Sequence, residues 1–97
     1  MYDYTGWIVR ATAGRDKDGI FCVVGMDQER HRLLLADGKR RRVSQPKHKK
    51  LGHVSPLTDH LHMFDHPVVR SLQEGEPVSD RALRRALAAF KEGSTLG

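Results

Sequence analysis

The first half of the chain carries hydrophobic patterns typical of short β-strands. Residues 7–12 follow a period of two, with tryptophan, valine and alanine on one face, which predicts a half-buried strand. Residues 20–26 form an apolar run rich in β-branched side chains, and residues 32–36 centre on consecutive leucines. A last short strand is expected near residues 52–55. Four or five short strands in about fifty residues, joined by tight turns, are typical of a small barrel.

The dipeptide Asp37-Gly38 is the clearest turn signal in the chain. Between two extended runs, Asp-Gly favours a type I′ turn, which joins neighbouring antiparallel strands. The expected hairpin pairs Ala36 with Lys39, Leu35 with Arg40, Leu34 with Arg41, and Leu33 with Arg42. The consecutive leucines leave open which face is buried, but either choice projects arginine side chains from one short ribbon. Pro46 lacks an amide hydrogen and therefore ends the second strand or holds it at an edge.

The second half of the chain changes to helical patterns. Residues 67–75 begin with proline and end with glycine, which predicts a short helix. Ser79 is a suitable N-cap for a helix over residues 80–92. Four apolar residues of this helix recur at helical spacing and predict a stripe that docks on the barrel or on a partner: Leu83, Ala86, Leu87 and Phe90. The basic residues mostly take the opposite side: Arg81, Arg84, Arg85 and Lys91.

The predicted organisation is therefore a mainly β chain with a C-terminal helical appendage. Residues 4–55 form the barrel, residues 56–78 a linker that contains the short helix, and residues 79–93 an amphipathic helix. A chain of 97 residues is too short for two independent cores. It has no apolar run long enough for a membrane span and no signal-peptide pattern at its start. With a single cysteine it does not resemble a disulfide-stapled secreted module, so we expect a cytoplasmic monomer that does not contact membranes.

The charge imbalance of the chain is concentrated in residues 37–53. This stretch holds seven Lys and Arg residues against the single carboxylate of Asp37, a local net charge of +6, whereas the whole chain has a net charge of +5. The flanking parts are close to neutral. A positive charge confined to one short segment indicates a localised anionic partner, most commonly a phosphate backbone.

Two runs of the sequence, residues 6–24 and 33–51, resemble a KOW domain. The segments AGRDK (residues 13–17) and ADGKRRRVSQPKHKK (residues 36–50) carry the resemblance, which is closest to the small bacterial KOW-domain RNA-binding proteins that resemble a eukaryotic and archaeal large-subunit ribosomal protein. The resemblance implies an SH3-like barrel and ribosomal RNA or the translation and transcription machinery as partners. The family has glycine directly after the lysine of its loop, where this chain has Asp18.

We therefore expect a non-catalytic RNA-binding module that docks by counterion release. The predicted contact residues are Arg15, Lys17, Lys39, Arg40, Arg41, Arg42, Lys47, Lys49 and Lys50. The alternative is an adaptor in which the barrel, or the apolar stripe of the C-terminal helix, binds a translation or transcription factor. In that alternative the basic run meets an acidic protein surface.

Other candidate chemistry in the sequence is weaker. Three nearby histidines, His60, His62 and His66, resemble zinc ligands, but no single helix or strand presents all three and no cysteine pair completes a site. We expect a solvated linker there, and neither metal nor cofactor. Cys22 lies in an apolar strand, which favours a buried, inert thiol, and no nucleophile–base set suggests an enzyme. Among the aromatic residues, Trp7 and Phe21 are expected in the core. For Tyr2 and Tyr4 the sequence does not decide between base stacking, packing and no role.

Overall fold

The computed structural model describes residues 1–96, with side chains described up to residue 93. It contains five strands and two helices: β1 (Ile8–Ala11), β2 (Ile20–Asp27), β3 (Arg32–Ala36), β4 (Lys47–Lys50), β5 (Val54–Pro56), α1 (Pro67–Gln73) and α2 (Asp80–Leu96). A single 3₁₀ turn, Leu51–His53, joins β4 to β5. The strands form one antiparallel sheet in the order β4-β3-β2-β1-β5. The mainly β prediction, its first three strands and both helices are thus confirmed.

The predicted hairpin at Asp37-Gly38 is wrong. Strand β3 pairs with β4, so that Leu33 lies opposite Lys49 rather than Arg42. A type I′ turn needs two central residues with positive φ, but only Gly38 has one, at 77°. The Asp37 carboxylate instead accepts hydrogen bonds from the amides of Lys39 and Arg41, at 2.9 Å each. This local capping starts a ten-residue loop, residues 37–46, and delays the return strand until after Pro46.

The predicted small barrel is not closed, because the five strands form an open but curled sheet. In a flat sheet β4 and β1 would lie about 14 Å apart, since neighbouring strands are separated by about 4.8 Å. Yet the Lys49 ammonium on β4 donates to the carbonyl oxygen of Ala13, just after β1, at 2.7 Å. Strand β2 bends at a register shift between Val23 and Gly25, and such bulges increase strand twist. The sheet therefore curls, which brings β4 close to the end of β1.

The concave face of this sheet holds the first hydrophobic cluster. Its members come mainly from alternate positions of the strands, as a period of two requires: Trp7, Val9, Ala11, Phe21, Val23, Leu33, Leu35 and Val54. Tyr4, Met26 and Met63 pack against the cluster from the side. The prediction that Trp7 and Phe21 belong to the core is confirmed.

The two helices pack on the opposite face of the sheet and form a second layer. Ile8, Cys22 and Ala36 from the strands share the second cluster with apolar residues of both helices: Val68, Leu72, Leu83, Ala86 and Leu87. The Ser79 hydroxyl accepts the Ala82 amide at 3.1 Å, so its predicted capping role is confirmed. The apolar stripe of α2 docks on the sheet, which buries Leu83 and Leu87. No helix within residues 1–96 is long and apolar enough to cross a membrane.

Candidate nucleic-acid interface

The loop between β1 and β2, residues 12–19, is a compact turn that points one acidic side chain inward. The amide of Lys17 donates to the Gly14 carbonyl at 3.2 Å, and the amide of Gly19 donates to the Asp16 carbonyl at 2.9 Å. Gly14 and Asp18 have positive φ, 82° and 71°. The backbone thus takes a glycine-like conformation at position 18 itself, which aspartate tolerates better than most residues. Arg15 and Lys17 remain exposed on either side of Asp16.

An ion pair between Asp16 and Arg41 joins this loop to the loop that follows β3. The Arg41 guanidinium donates to Asp16 Oδ2 at 2.8 Å, and only 7% of the Asp16 side chain is exposed, against 31% of Arg41. The hydrogen bond from Arg41 lowers the pKa of Asp16, burial opposes the shift, and the charges of Arg41, Lys49 and Lys47 add to it. Asp16 is therefore a buried carboxylate held ionised by three surrounding cations.

Lys49 of β4 makes a second contact with the β1–β2 loop. It is buried, with 7% of its surface exposed, and its ammonium donates to the Ala13 carbonyl. A Cβ at Gly14 would lie 2.9 Å from the Lys49 Nζ, so glycine leaves room for this approach. Two of the nine predicted contact residues, Arg41 and Lys49, thus fix the β1–β2 loop in place, and burial removes the Lys49 ammonium from the exposed surface.

Six further cations of the predicted set belong to the two loops that the Asp16–Arg41 contact joins, or to the start of β4. Arg40 and Arg42 flank one partner of the ion pair, and Arg15 and Lys17 flank the other; consecutive Cα atoms are about 3.8 Å apart. Within residues 1–96 none of the six forms an ion pair with a carboxylate. We call this set the basic surface: Arg15, Lys17, Lys39, Arg40, Arg42 and Lys47. Lys47 is half-buried and the other five are exposed.

Lys50 is the predicted residue that the structure sets apart. It lies at the far end of β4, opposite Arg32 of β3. Side chains alternate between the faces of a strand, so Lys50 points away from the face that Lys47 and Lys49 share. It is exposed, but it lies at the end of β4 that is farther along the chain from the loop of residues 37–46.

Arg84 of α2 contributes to this end of the molecule, although the charge pattern of the sequence did not single it out. Its guanidinium donates to the Gly38 carbonyl at 2.6 Å, which places a helix cation against the loop of residues 37–46. The first turn of α2 also holds the loop, since the Val43 amide donates to the Asp80 carboxylate at 2.8 Å. Arg84 follows the apolar Leu83 directly. This position at the border of the buried stripe is the one feature of the sequence that indicates a contact between Arg84 and the rest of the fold.

The three linker histidines have separate surroundings. His62 Nδ1 lies 3.1 Å from the carboxylate of Asp59, whose pKa is lowered mainly by hydrogen bonds from the His62 and Leu61 amides. His66 caps α1, its Nδ1 accepting the Val68 amide at 3.1 Å. Among the described residues no group of three or more His, Cys, Asp and Glu side chains is arranged to hold a metal ion.

The remaining candidates pack into the fold or against its surface. Cys22 is buried between the sheet and the helices, and burial raises the pKa of its thiol to about 12, as expected of an inert cysteine. Tyr4 packs edge-to-face on Trp7 with ring centroids 4.7 Å apart. Tyr2 contacts both rings but keeps about half of its surface exposed, 53%.

The gathered side chains have one chemical capacity in common, which is to bind anions. Arginine forks and lysine ammonium groups match phosphate oxygens, and the Asp16–Arg41 ion pair joins the two loops that carry most of them. Compared with known proteins, the chain matches no family model and no curated protein. The anion-binding chemistry of these side chains is therefore the basis of the proposed function.

Proposed function

We propose that this protein is a non-catalytic RNA-binding module that holds a phosphate backbone on its basic surface. One observation carries the proposal: the Asp16–Arg41 ion pair brings together cations from two separate loops, and the neighbouring cations face solvent without carboxylate partners among residues 1–96. A surface kept only for solubility needs no such internal tie. The buried ion pair uses one arginine to position the cations of the basic surface.

Affinity in this mechanism comes from counterion release. Each neutralised phosphate of a single strand lowers the slope of log affinity against log salt by about 0.7, so five contacts give a slope near −3.5. Arg40 and Arg42 add bidentate hydrogen bonds to phosphate and stack on exposed bases, while Lys39 and Lys47 act as mobile point charges. Phosphate contacts fix the position of the RNA, and base contacts select its sequence.

The resemblance to KOW domains supports ribosomal RNA as the partner and an SH3-like arrangement of the curled sheet. The AGRDK segment occupies the β1–β2 loop, and the long basic segment occupies the β3–β4 loop and β4. Asp18, where the family has glycine, nevertheless takes a positive φ of 71°. The loop can therefore keep a glycine-type turn despite the substitution, at the cost of one extra negative charge beside Arg15 and Lys17.

The deciding experiment measures binding to ribosomal RNA fragments over a salt series. The double variant Arg40→Ala/Arg42→Ala should bind about tenfold more weakly at low salt and show a slope reduced by about 1.4, because two phosphate contacts are lost. Arg81→Ala/Arg85→Ala is the matched control, since it removes the same charge from exposed positions of α2. A flat salt dependence, or equal losses in both double variants, would reject RNA binding at the basic surface.

The packing of α2 on the sheet limits which surfaces an adaptor could use to bind a protein. The stripe of α2 is occupied by the sheet, with Leu83 and Leu87 buried, so it is not free to bind a translation or transcription factor. The adaptor alternative then requires an acidic protein surface that binds to the same cations. Polyglutamate of matched charge, used as a competitor, separates the two: it should displace RNA only weakly if arginine contacts to phosphate and bases are made.

A further inference from the structure

A cleft separates the loop of residues 37–46 from α2, and cations from both sides line it. Its lining consists of Gly38, Lys39, Arg42, Asp80 and Arg84. Two of the three cations come from the basic segment and the third comes from the helix. Their formal charge is +3, against one carboxylate from Asp80, which leaves a net charge of +2 in a small open space.

The cleft is held in shape by contacts between its two sides. The Arg84 guanidinium donates from Nη1 to the Gly38 carbonyl at 2.6 Å, and this contact orients the planar group. The Asp80 Oδ1 accepts the Val43 amide at 2.8 Å, so the carboxylate is occupied in fixing the loop. At Gly38 a Cβ would overlap the Asp80 carbonyl oxygen, which shows how closely the two backbones approach.

We propose that this cleft binds one phosphate group of the RNA backbone, so that α2 is part of the RNA interface. The identity of the polymer rests on the proposed function, whereas the affinity of the cleft for a phosphate group does not. One guanidinium nitrogen of Arg84 is used by Gly38, and the rest of the fork is available for bidentate contact to phosphate oxygens. Lys39 and Arg42 face the same space and neutralise the remaining charge.

The other cations of α2 provide an internal control. Arg81 and Arg85 line a separate cleft with His66, Ser79 and Ala82, on the side of the helix that faces α1. They carry the same charge on the same helix, but they line a different cleft and do not contact Gly38. Binding that depends on the cleft must distinguish Arg84 from Arg85, whereas a general attraction to a basic helix must not.

The first test uses inorganic phosphate as the probe and nuclear magnetic resonance as the readout. Titration should give saturable shifts of the Lys39 and Arg42 amides and of the Arg84 Nε–H signal, with millimolar affinity. The shifts should persist in Arg85→Gln and be reduced at least threefold in Arg84→Gln. Because Arg84→Gln also removes the bond to Gly38, Lys39→Gln serves as a second variant; the Lys39 side chain makes no hydrogen bond within the described chain. Shifts that do not saturate, or that are equal in all variants, overturn the proposal.

The second test measures RNA binding with the same variants. Arg84→Gln should weaken binding severalfold and reduce the salt slope by about 0.7, while Arg85→Gln leaves both unchanged. If RNA binds but Arg84→Gln behaves like Arg85→Gln, the cleft proposal fails and the RNA-binding function stands. If phosphate saturates the cleft but no RNA binds, the function fails and the anion site stands.

Discussion

Asp16 shows how a single carboxylate determines what the surrounding cations can do. In the sequence it is one of twelve acidic residues and lies between two basic neighbours, so charge counting treats it as part of a mixed surface turn. In the fold it is buried and ionised beneath Arg41, with Lys47 and Lys49 nearby. Its negative charge attracts Arg41 and so holds the loop of residues 12–19 against the basic loop of residues 37–46.

The replacement Asp16→Asn should lower the free energy of unfolding by about 1–2 kcal/mol at pH 7, because a charged hydrogen bond in a buried position is weakened. The pKa of Asp16 is lowered from 3.8 in the folded state, so its contribution is complete above that value and is lost as pH falls through the folded-state pKa. Urea unfolding at pH 7, 4 and 2.5 should show the difference between wild type and variant closing at acid pH.

Asp18→Asn is the matched control for this change, since it removes the same charge from an exposed position of the same loop. Its effect on stability should remain within about 0.5 kcal/mol at all three pH values. A difference between wild type and Asp16→Asn that stays constant from pH 7 to pH 2.5 would contradict the ionised, paired state of Asp16.

Other residues differ in how far the sequence could assign them. Cys22 and Trp7 were assigned correctly because burial follows directly from an apolar, alternating strand. The roles of Lys49 and Arg41 could not be assigned, because lysine and arginine are normally exposed. Only the curl of the sheet brings Lys49 to the Ala13 carbonyl, and only the meeting of two loops gives Arg41 its carboxylate.

At the scale of elements, the loop of residues 37–46 contains a local turn signal, but other contacts determine its conformation. Asp37-Gly38 has the residue types of a hairpin turn, but the Asp37 carboxylate binds amides of its own loop and α2 holds Gly38 and Val43. The sequence contains the residues for both outcomes. What it does not show is that a helix about forty residues later packs beside the turn, and that packing decides between them.

Gly38→Ala should therefore lower the free energy of unfolding by about 3 kcal/mol. About 1 kcal/mol arises from alanine at a φ of 77° and the rest from overlap of its Cβ with the Asp80 carbonyl. Gly75→Ala is a close control, because Gly75 has the same φ of 77° but no atom lies within 4 Å of the position that a Cβ would take there. It should lose only about 1 kcal/mol. Denaturant unfolding of both variants measures the difference.

The same pair of variants also tests RNA binding. Gly38→Ala displaces the loop that carries Lys39, Arg40 and Arg42, so its affinity for RNA should fall several-fold, while that of Gly75→Ala stays at the wild-type value. Equal stability losses in the two variants would show that α2 does not approach Gly38 as closely as the structure indicates.

At the scale of the whole molecule, the sheet is the element that both hydrophobic clusters share. Adjacent residues of β1 belong to different clusters, Ile8 to the helical side and Val9 to the concave side. The sequence predicted the strands, the helices and an apolar stripe that docks on the barrel or on a partner, but it did not predict that the sheet stays open. Strand patterns show which residues are apolar; they do not show that an open sheet of five short strands leaves a second apolar face for helices to cover.

This shared sheet predicts one cooperative unfolding transition reported by two independent probes. Trp7, the only tryptophan, lies in the concave cluster, and the far-ultraviolet dichroism of α1 and α2 reports the other side. Leu83→Ala, at a fully buried position of α2, should cost about 3 kcal/mol and shift both unfolding curves to the same lower denaturant concentration. Val23→Ala, on the concave face of β2, should likewise lower the midpoint of the helical signal.

An independent barrel with an appended helix makes the opposite prediction for these variants. In that arrangement Leu83→Ala would release the helices at low denaturant while the Trp7 fluorescence curve stayed at the wild-type midpoint. The positions of Ile8 and Val9 argue against it, because these consecutive residues of β1 belong to different clusters. Loss of either cluster therefore disturbs the strand backbone on which the other cluster is built. Because α2 also holds the basic loop through Asp80 and Arg84, unfolding of the helices and loss of the basic surface should occur at the same denaturant concentration.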